Sequence, residues 1–283
     1  MDIITFMSMF KAEKDCLDYL REKKYKSFKC PKCQNDKFYM IYGRKCMECS
    51  KCRHQEYLTA NTVFHKSSTD LIKWFYAIQL MTQSKKGVSA LQLQRAIKVT
   101  YKTAWRIAHK IREAMDNDDD DNDLFGGITQ VDETYVGGKK KNNMGRESAP
   151  KKIVIGAVEH INGKPTRVEC DVIEKADSLN LYQFILAKLK RGAELHTDQW
   201  RGYMFIGEKG FNHRTVNHLE HFIEDGVSTQ SVEGFWSLLK RGIIGIYHHV
   251  SAQHLSKYLA EFEFRYNNRE NQEKMFDLVL ERI

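Results

Sequence analysis

Two groups of residues in this 283-residue chain have the types and spacing to do chemistry. Cys30-Pro-Lys-Cys33 and Cys49-Ser-Lys-Cys52 are C-x₂-C pairs 15 residues apart, inside the spacing of a four-thiolate zinc site. Each pair can form a tight knuckle, and two knuckles can set four sulfurs tetrahedrally about Zn²⁺. Four thiolates close the coordination sphere, so the metal expected here is structural. Cys46-Met-Glu-Cys49 is a competing C-x₂-C pair. The continuation Arg53-His54-Gln55 favours Cys49 with Cys52, and Cys46 stays the alternative. Charged and polar neighbours argue against these cysteines being small core residues.

The second group is acidic. Asp132 lies in the strand-like run Val131–Val136, Asp198 closes the run Glu194–Asp198, and Glu233 opens the helical stretch Ser231–Lys240. Two carboxylates from neighbouring strands and a third from a packed helix make an oxygen-rich site for Mg²⁺ or Mn²⁺. Two such ions about 4 Å apart suit phosphodiester chemistry. Glu233 and Lys240 are seven positions apart and share a helix face. Spacing alone does not separate these acids from surface carboxylates. Glu133 alternates to the opposite strand face from Asp132 and reads as support or surface. His196 shares a face with Asp198 and either lines the site or packs. Trp236 reads as core, Cys170 as buried and inert, and Lys139-Lys-Lys141 as a loop that either grips a phosphate backbone or is simply solvated.

These residues need elements to hold them. Residues 1–110 carry 22 Lys and Arg against 9 Asp and Glu, residues 111–127 carry 1 against 7, and residues 128–283 carry 22 against 21. A polyanion therefore suits the N-terminal part, whereas the balanced C-terminal part must act through particular residues. Met1–Leu20 reads as an amphipathic helix, within a first segment 1–27. Segment 28–66 is short strands and turns, too small to fold without a metal. Segment 67–115 is helical: Leu71–Met81, then Ser89–Ile97 and Tyr101–Met115 around the turn Lys98-Val-Thr100, with the lengths of a helix-turn-helix. In the last helix Ala104, Ile107, Ala108 and Ile111 form an apolar face while Lys102, Arg106 and Lys110 form a basic one, fit for the DNA major groove or for solvent. The Asp-rich segment 116–127 reads as a linker.

From residue 128 the pattern turns to strands at Ile128–Val136, Lys152–His160 and Thr166–Ile173. A helix over Leu179–Leu189, strands at Glu194–Asp198 and His213–Val216, and terminal helices follow. That order predicts an α/β domain with a mixed sheet over 128–283. No apolar run is long enough to span a membrane and the first 30 residues lack a secretory pattern, so the expectation is a soluble, cytoplasmic, DNA-associated protein.

Taken together, several stretches carry a resemblance over nearly the whole chain. They are the two cysteine pairs, Lys85-Lys-Gly-Val-Ser-Ala-Leu-Gln-Leu-Gln94, Tyr101-Lys-Thr-Ala-Trp-Arg106, Val131-Asp-Glu-Thr-Tyr-Val-Gly-Gly-Lys139, His196-Thr-Asp-Gln-Trp-Arg-Gly-Tyr203, Val232-Glu-Gly-Phe-Trp-Ser-Leu-Leu-Lys-Arg241 and Phe264-Arg-Tyr-Asn-Asn-Arg269. The sequence resembles DDE-superfamily transposases of small bacterial insertion sequences, in the group with an N-terminal zinc ribbon. The resemblance implies a ribbon and helix-turn-helix followed by an RNase H-like catalytic domain. It implies that Asp132, Asp198 and Glu233 bind two Mg²⁺ or Mn²⁺ ions and that Lys240 contacts DNA near the scissile phosphate. It further implies double-stranded DNA partners, namely terminal inverted repeats and target DNA, and a homodimer or larger assembly. Ser228-Thr-Gln-Ser231 departs from the commoner asparagine-containing lead-in. Two other readings are a transposase-derived regulator without catalysis and a metal-dependent nuclease without strand transfer.

Overall fold

The computed structural model describes residues 1–116, 124–137, 151–217 and 226–282. In chain order its elements are α1 (Ile3–Met9), α2 (Glu13–Lys24), β1 (Phe38–Ile41), β2 (Cys46–Cys49), β3 (Gln55–Tyr57), α3 (Leu71–Gln83), α4 (Ala90–Ile97) and α5 (Tyr101–Met115). There follow β4 (Ile128–Val136), β5 (Lys152–Ile161), β6 (Lys164–Ile173), α6 (Ser178–Lys188), β7 (Glu194–Asp198), β8 (Asn212–Val216), α7 (Gln230–Gly242), α8 (Leu255–Asn267) and α9 (Met275–Glu281). No helix among the described residues is long and apolar enough to cross a membrane.

Residues Met1–Met115 and Glu270–Ile283 form one compact unit and Asp116–Arg269 a second. In the first, the helix expected over Met1–Leu20 is two helices. The Asp15 carboxylate accepts the backbone N–H groups of Lys11 and Ala12, both at 2.8 Å, and so starts a new helix where one would have continued. The chain's last segment, expected in the catalytic region 128–283, packs in this first unit instead. Its apolar face, Met275, Phe276, Val279 and Leu280, is buried, with Phe276 among Phe6, Phe10 and Phe75 at ring-centre distances of 5.9, 5.8 and 5.7 Å. Tyr19 donates to Asp277, and Arg282 donates to the Met115 carbonyl at 3.1 Å.

Two helices with a short turn follow α3. Ser89 caps α4 by accepting from Gln92 N–H, Lys98 turns the chain in a left-handed conformation, and Thr100 accepts from Thr103 N–H to start α5. Leu93, Ile97, Ala104, Ile107, Ala108 and Ile111 are buried, which leaves Lys102 and Arg106 exposed. Lys110 sits 2.5 Å from Glu113 in an ion pair.

The second unit is a five-stranded sheet of order β6-β5-β4-β7-β8. β5 runs antiparallel to β4 and β6, while β7 is parallel to β4 and β8 to β7. The mixed sheet expected from the sequence is therefore present, with helices on both faces. Val131, Ile155, Ala157 and Leu195 pack with Leu181, Phe184 and Ile185 of α6. Val154, Val158 and Val168 pack with Val232, Phe235 and Leu239 of α7 and with Leu259 and Phe262 of α8. Covering both faces keeps the central β4 dry along most of its length, so a polar side chain there must find a partner.

Candidate metal centres and acidic cleft

The ribbon is a three-stranded antiparallel sheet, β1-β2-β3. Two matching turns bring its cysteines together. Gln34 N–H donates to the Cys30 carbonyl at 2.8 Å and Arg53 N–H to the Cys49 carbonyl at 3.0 Å. Gln34 and Arg53, each one residue past a C-x₂-C pair, both adopt positive φ, at 59° and 57°. The four sulfurs of Cys30, Cys33, Cys49 and Cys52 all lie within 4.8 Å of one another. The pairs Cys30–Cys52 and Cys33–Cys49 are each 3.5 Å apart, close to the ~3.8 Å edge of a tetrahedron with Zn–S bonds of about 2.3 Å. Backbone N–H groups of Cys52 and Lys51 favour the Cys49 thiolate and draw its pKa down to about 6. Cys46 stays outside this group. It is buried three positions before Cys49 on β2, where alternation turns it to the opposite face.

Carboxylates from three elements make the second centre. β4 and β7 lie side by side with Gln130 opposite His196, and two residues further along each strand come Asp132 and Asp198. α7 is tied to the same edge, since Ser231 N–H donates to Gln130 Oε1 at 2.8 Å. Gln130 shares a strand face with Asp132, so one side chain docks the helix while the other faces it. Glu233, one turn into α7, accepts from the Thr229 hydroxyl at 2.7 Å. Asp132, Glu133, Glu233, Trp236, Lys240 and Arg241 line a cleft of about 720 Å³.

Hydrogen bonds hold the acids from different sides. Trp236 Nε1 donates to Asp132 Oδ2 at 3.0 Å, Trp200 N–H to Asp198 Oδ1 at 3.0 Å, and the Tyr203 hydroxyl to Glu133 Oε2 at 2.6 Å. Burial, reinforced by the charges of Glu133 and Asp198, pushes the Asp132 carboxyl up to about 7. Burial also raises Glu133, against the pull of the Tyr203 hydrogen bond. Glu133 faces Tyr203 on the α6 side while Asp132 faces Trp236 on the α7 side, as strand alternation requires. Among the described residues, the four cysteines are the only group of three or more whose ligand atoms lie close enough together to hold a metal ion, all within 4.8 Å of one another. The acids are held wider.

Every acid singled out by sequence, together with Lys240, stands at this end of the sheet. His196 is buried and bonded to Glu194 at 2.8 Å, so it packs. Lys139 and the rest of its basic tract lie outside the described residues. Sequence reasoning passed over Gln130, Thr229, Trp236 and Tyr203 as partners of the site. Gln130 at two before Asp132, and Trp236 at three after Glu233, were within reach of face periodicity alone.

The chain thus holds an α/β unit with carboxylates at one end of a mixed sheet and, in its other unit, a four-cysteine ribbon, and both parts match known families. Residues 124–267 match the ISXO2-like transposase domain and residues 11–55 the transposase zinc-ribbon domain. The chain belongs to the ISXO2-like transposase family. It is 30% identical over 99 residues to an uncharacterized transposase-like protein of Haemophilus influenzae, covering 35% of this chain and 80% of that one. It is 26% identical over 259 residues to an uncharacterized protein in transposable element ISH50 of Halobacterium salinarum, covering 83% and 84%. Among solved structures, a chain of the simian T-cell lymphotropic virus intasome, in complex with PP2A regulatory subunit B56 gamma, aligns with TM-score 0.32 and 14% identity. That alignment covers 59% of this chain and 63% of the other, under two thirds of its length. A chain of the Mos1 strand transfer complex aligns with TM-score 0.28 and 9% identity, covering 72% and 76%. Scores this low carry no weight for function.

Proposed function

We propose that this protein is an insertion-sequence transposase that binds terminal inverted repeats and carries out metal-dependent DNA cleavage and strand transfer. The observation that carries the reading is the convergence of Asp132, Glu233 and Lys240 on one cleft, with Asp198 charged against Asp132 from the adjoining strand. Such a concentration of partly buried negative charge is offset by a divalent cation, and an all-oxygen donor set suits Mg²⁺ or Mn²⁺. Asp132, Asp198 and Glu233 hold two such ions. When bound, the ions lower the cost of negative charge on the attacking and leaving oxygens of an in-line displacement at phosphorus.

The chain's own groups do the rest. Lys240 and Arg241, on the cleft wall, attract the phosphate backbone and orient the scissile bond. Gln130 keeps α7, and with it Glu233 and Lys240, docked against β4. In the ribbon, Cys30, Cys33, Cys49 and Cys52 hold one Zn²⁺ that supplies folding energy and no chemistry. α4 and α5 act as a helix-turn-helix, with Lys102 and Arg106 at the DNA; Lys110 joins them only by giving up Glu113. Lys139, three positions past β4 in the sequence, adds a contact to the phosphate backbone. Two element ends must be held together, so the working form is a homodimer or larger assembly on DNA.

The test supplies a pre-cut element end, target DNA and Mn²⁺. The unmutated protein joins them, while Asp132→Asn, Asp198→Asn and Glu233→Gln proteins bind the end without joining it, their rates down about 10³-fold or more. Normal joining by any of the three overturns the assignment of that acid. End binding without joining by the unmutated protein favours the regulator.

A further inference from the structure

Trp236 is 4% exposed and packs in the core layer between α7 and the sheet. An indole has a single donor, and burial makes that donor seek a partner. Here the partner is Asp132 Oδ2, at 3.0 Å. A phenylalanine would have filled much of the same space without that bond.

The strand opposite is shaped to match. Asp132 on β4 pairs across the ladder with Gly156 on β5, in the otherwise bulky run Ile153-Val-Ile-Gly-Ala-Val158. Glycine inside a strand is destabilising relative to alanine, and it commonly marks a place that something approaches closely. A Cβ built on Gly156 would stand 2.5 Å from Cη2 and 2.8 Å from Cζ2 of Trp236, and 3.0 Å from Cys170 Sγ. The indole edge therefore lies in the space left by the missing side chain.

We infer that Gly156 and Trp236 form a positioning device for the catalytic carboxylate, in which the glycine admits the indole and the indole N–H fixes the rotation of Asp132 so that Oδ1 is presented to a divalent cation. The inference rests on the reading of Asp132 as a metal ligand. Trp236 touches neither DNA nor cation in this scheme; it acts through Asp132. Groups that orient a ligating side chain typically change metal affinity by about 10- to 100-fold when removed.

The experiment titrates the zinc-loaded, full-length protein with Mn²⁺ by calorimetry, with circular dichroism to check the fold. Trp236→Phe binds Mn²⁺ about 10-fold more weakly. Gly156→Ala, which keeps every donor and displaces the ring, also weakens it. In the Trp236→Phe background the Gly156→Ala change adds little to the loss of Mn²⁺ binding, because the indole atoms it strikes are gone and only the milder 3.0 Å approach to Cys170 Sγ remains; that non-additivity separates positioning from general loss of stability. A folded Trp236→Phe protein that binds Mn²⁺ within about twofold of the unmutated one, while Asp132→Asn loses it, overturns the device and leaves the metal site standing. Unchanged binding by Asp132→Asn removes the metal site and the device together. Should Trp236→Phe fail to fold, indole ¹⁵N–¹H resonances give a metal-free readout. Of the four tryptophans, Trp236 should shift in Asp132→Asn, and an unshifted spectrum overturns the contact.

Discussion

In the ribbon, four sulfurs lie within 4.8 Å of one another on two short turns, each stabilised by its own backbone hydrogen bonds. In the acidic cleft, the carboxylates come from β4, β7 and α7; Asp132 is held by Trp236 from another element, Asp198 and Glu233 by donors two and four residues away along the chain, and burial with the charges of Glu133 and Asp198 makes Asp132 costly to ionise. The first arrangement is local and closed, so its metal serves the fold. The second is assembled over a hundred residues and left open, as the ions of the proposed function would require. On the proposed function, ligands gathered on hydrogen-bonded turns and a carboxylate that burial makes costly to ionise would correspond to structural and catalytic use within one molecule.

Removing ligands should break the two regions in opposite directions. The largest effect is expected in the ribbon: combined Cys30→Ser and Cys33→Ser substitution takes bound zinc from about one per chain to none and unfolds the ribbon, seen by metal analysis and limited proteolysis. Cys46→Ser keeps the zinc. Zinc lost from Cys46→Ser but retained by Cys52→Ser would reverse the assignment of the second knuckle.

In the cleft, Asp132→Asn should stabilise the metal-free protein at pH 8, by up to ~4 kcal/mol. The sign follows from the carboxyl's pKa, which rises from 3.8 unfolded to about 7 folded. The folded state holds that proton more tightly, so the contribution of Asp132 to stability is fully present below pH 4 and is lost as pH rises through 7. The gain from asparagine should therefore vanish near pH 4, and thermal melts at the two pH values measure it. An Asp132→Asn protein that is less stable at pH 8 would put the cleft in the same structural class as the ribbon.

Tyr203→Phe should act in the other sense, costing about 1–2 kcal/mol at pH 8 because it leaves the Glu133 carboxylate buried without its donor. The cost should shrink at low pH, where Glu133 is protonated. A smaller effect again is expected on DNA binding. Lys102→Ala should reduce the salt slope of end binding by about 0.9, whereas Lys110→Ala, whose ammonium is paired with Glu113, should change it less. Equal slopes for the two would mean that the ion pair opens on DNA.

The sequence by itself determined every element whose signal is local. The C-x₂-C pairs, the strand runs around Asp132 and Asp198, and the seven-residue step from Glu233 to Lys240 depend on bond geometry and side-chain periodicity, which neighbours in the chain set between them. The split of the first helix was also local, written in Asp15, but was hidden under a continuous apolar pattern. Only the tertiary structure decided that Phe276 completes an aromatic cluster with Phe6, Phe10 and Phe75, and that Trp236 reaches Asp132 over Gly156. Those contacts join residues up to 270 positions apart (Phe6 to Phe276), where no periodicity operates. What selects them is the need of each buried surface and each buried donor for a partner, and that need is met only once the sheet and helices have closed around it.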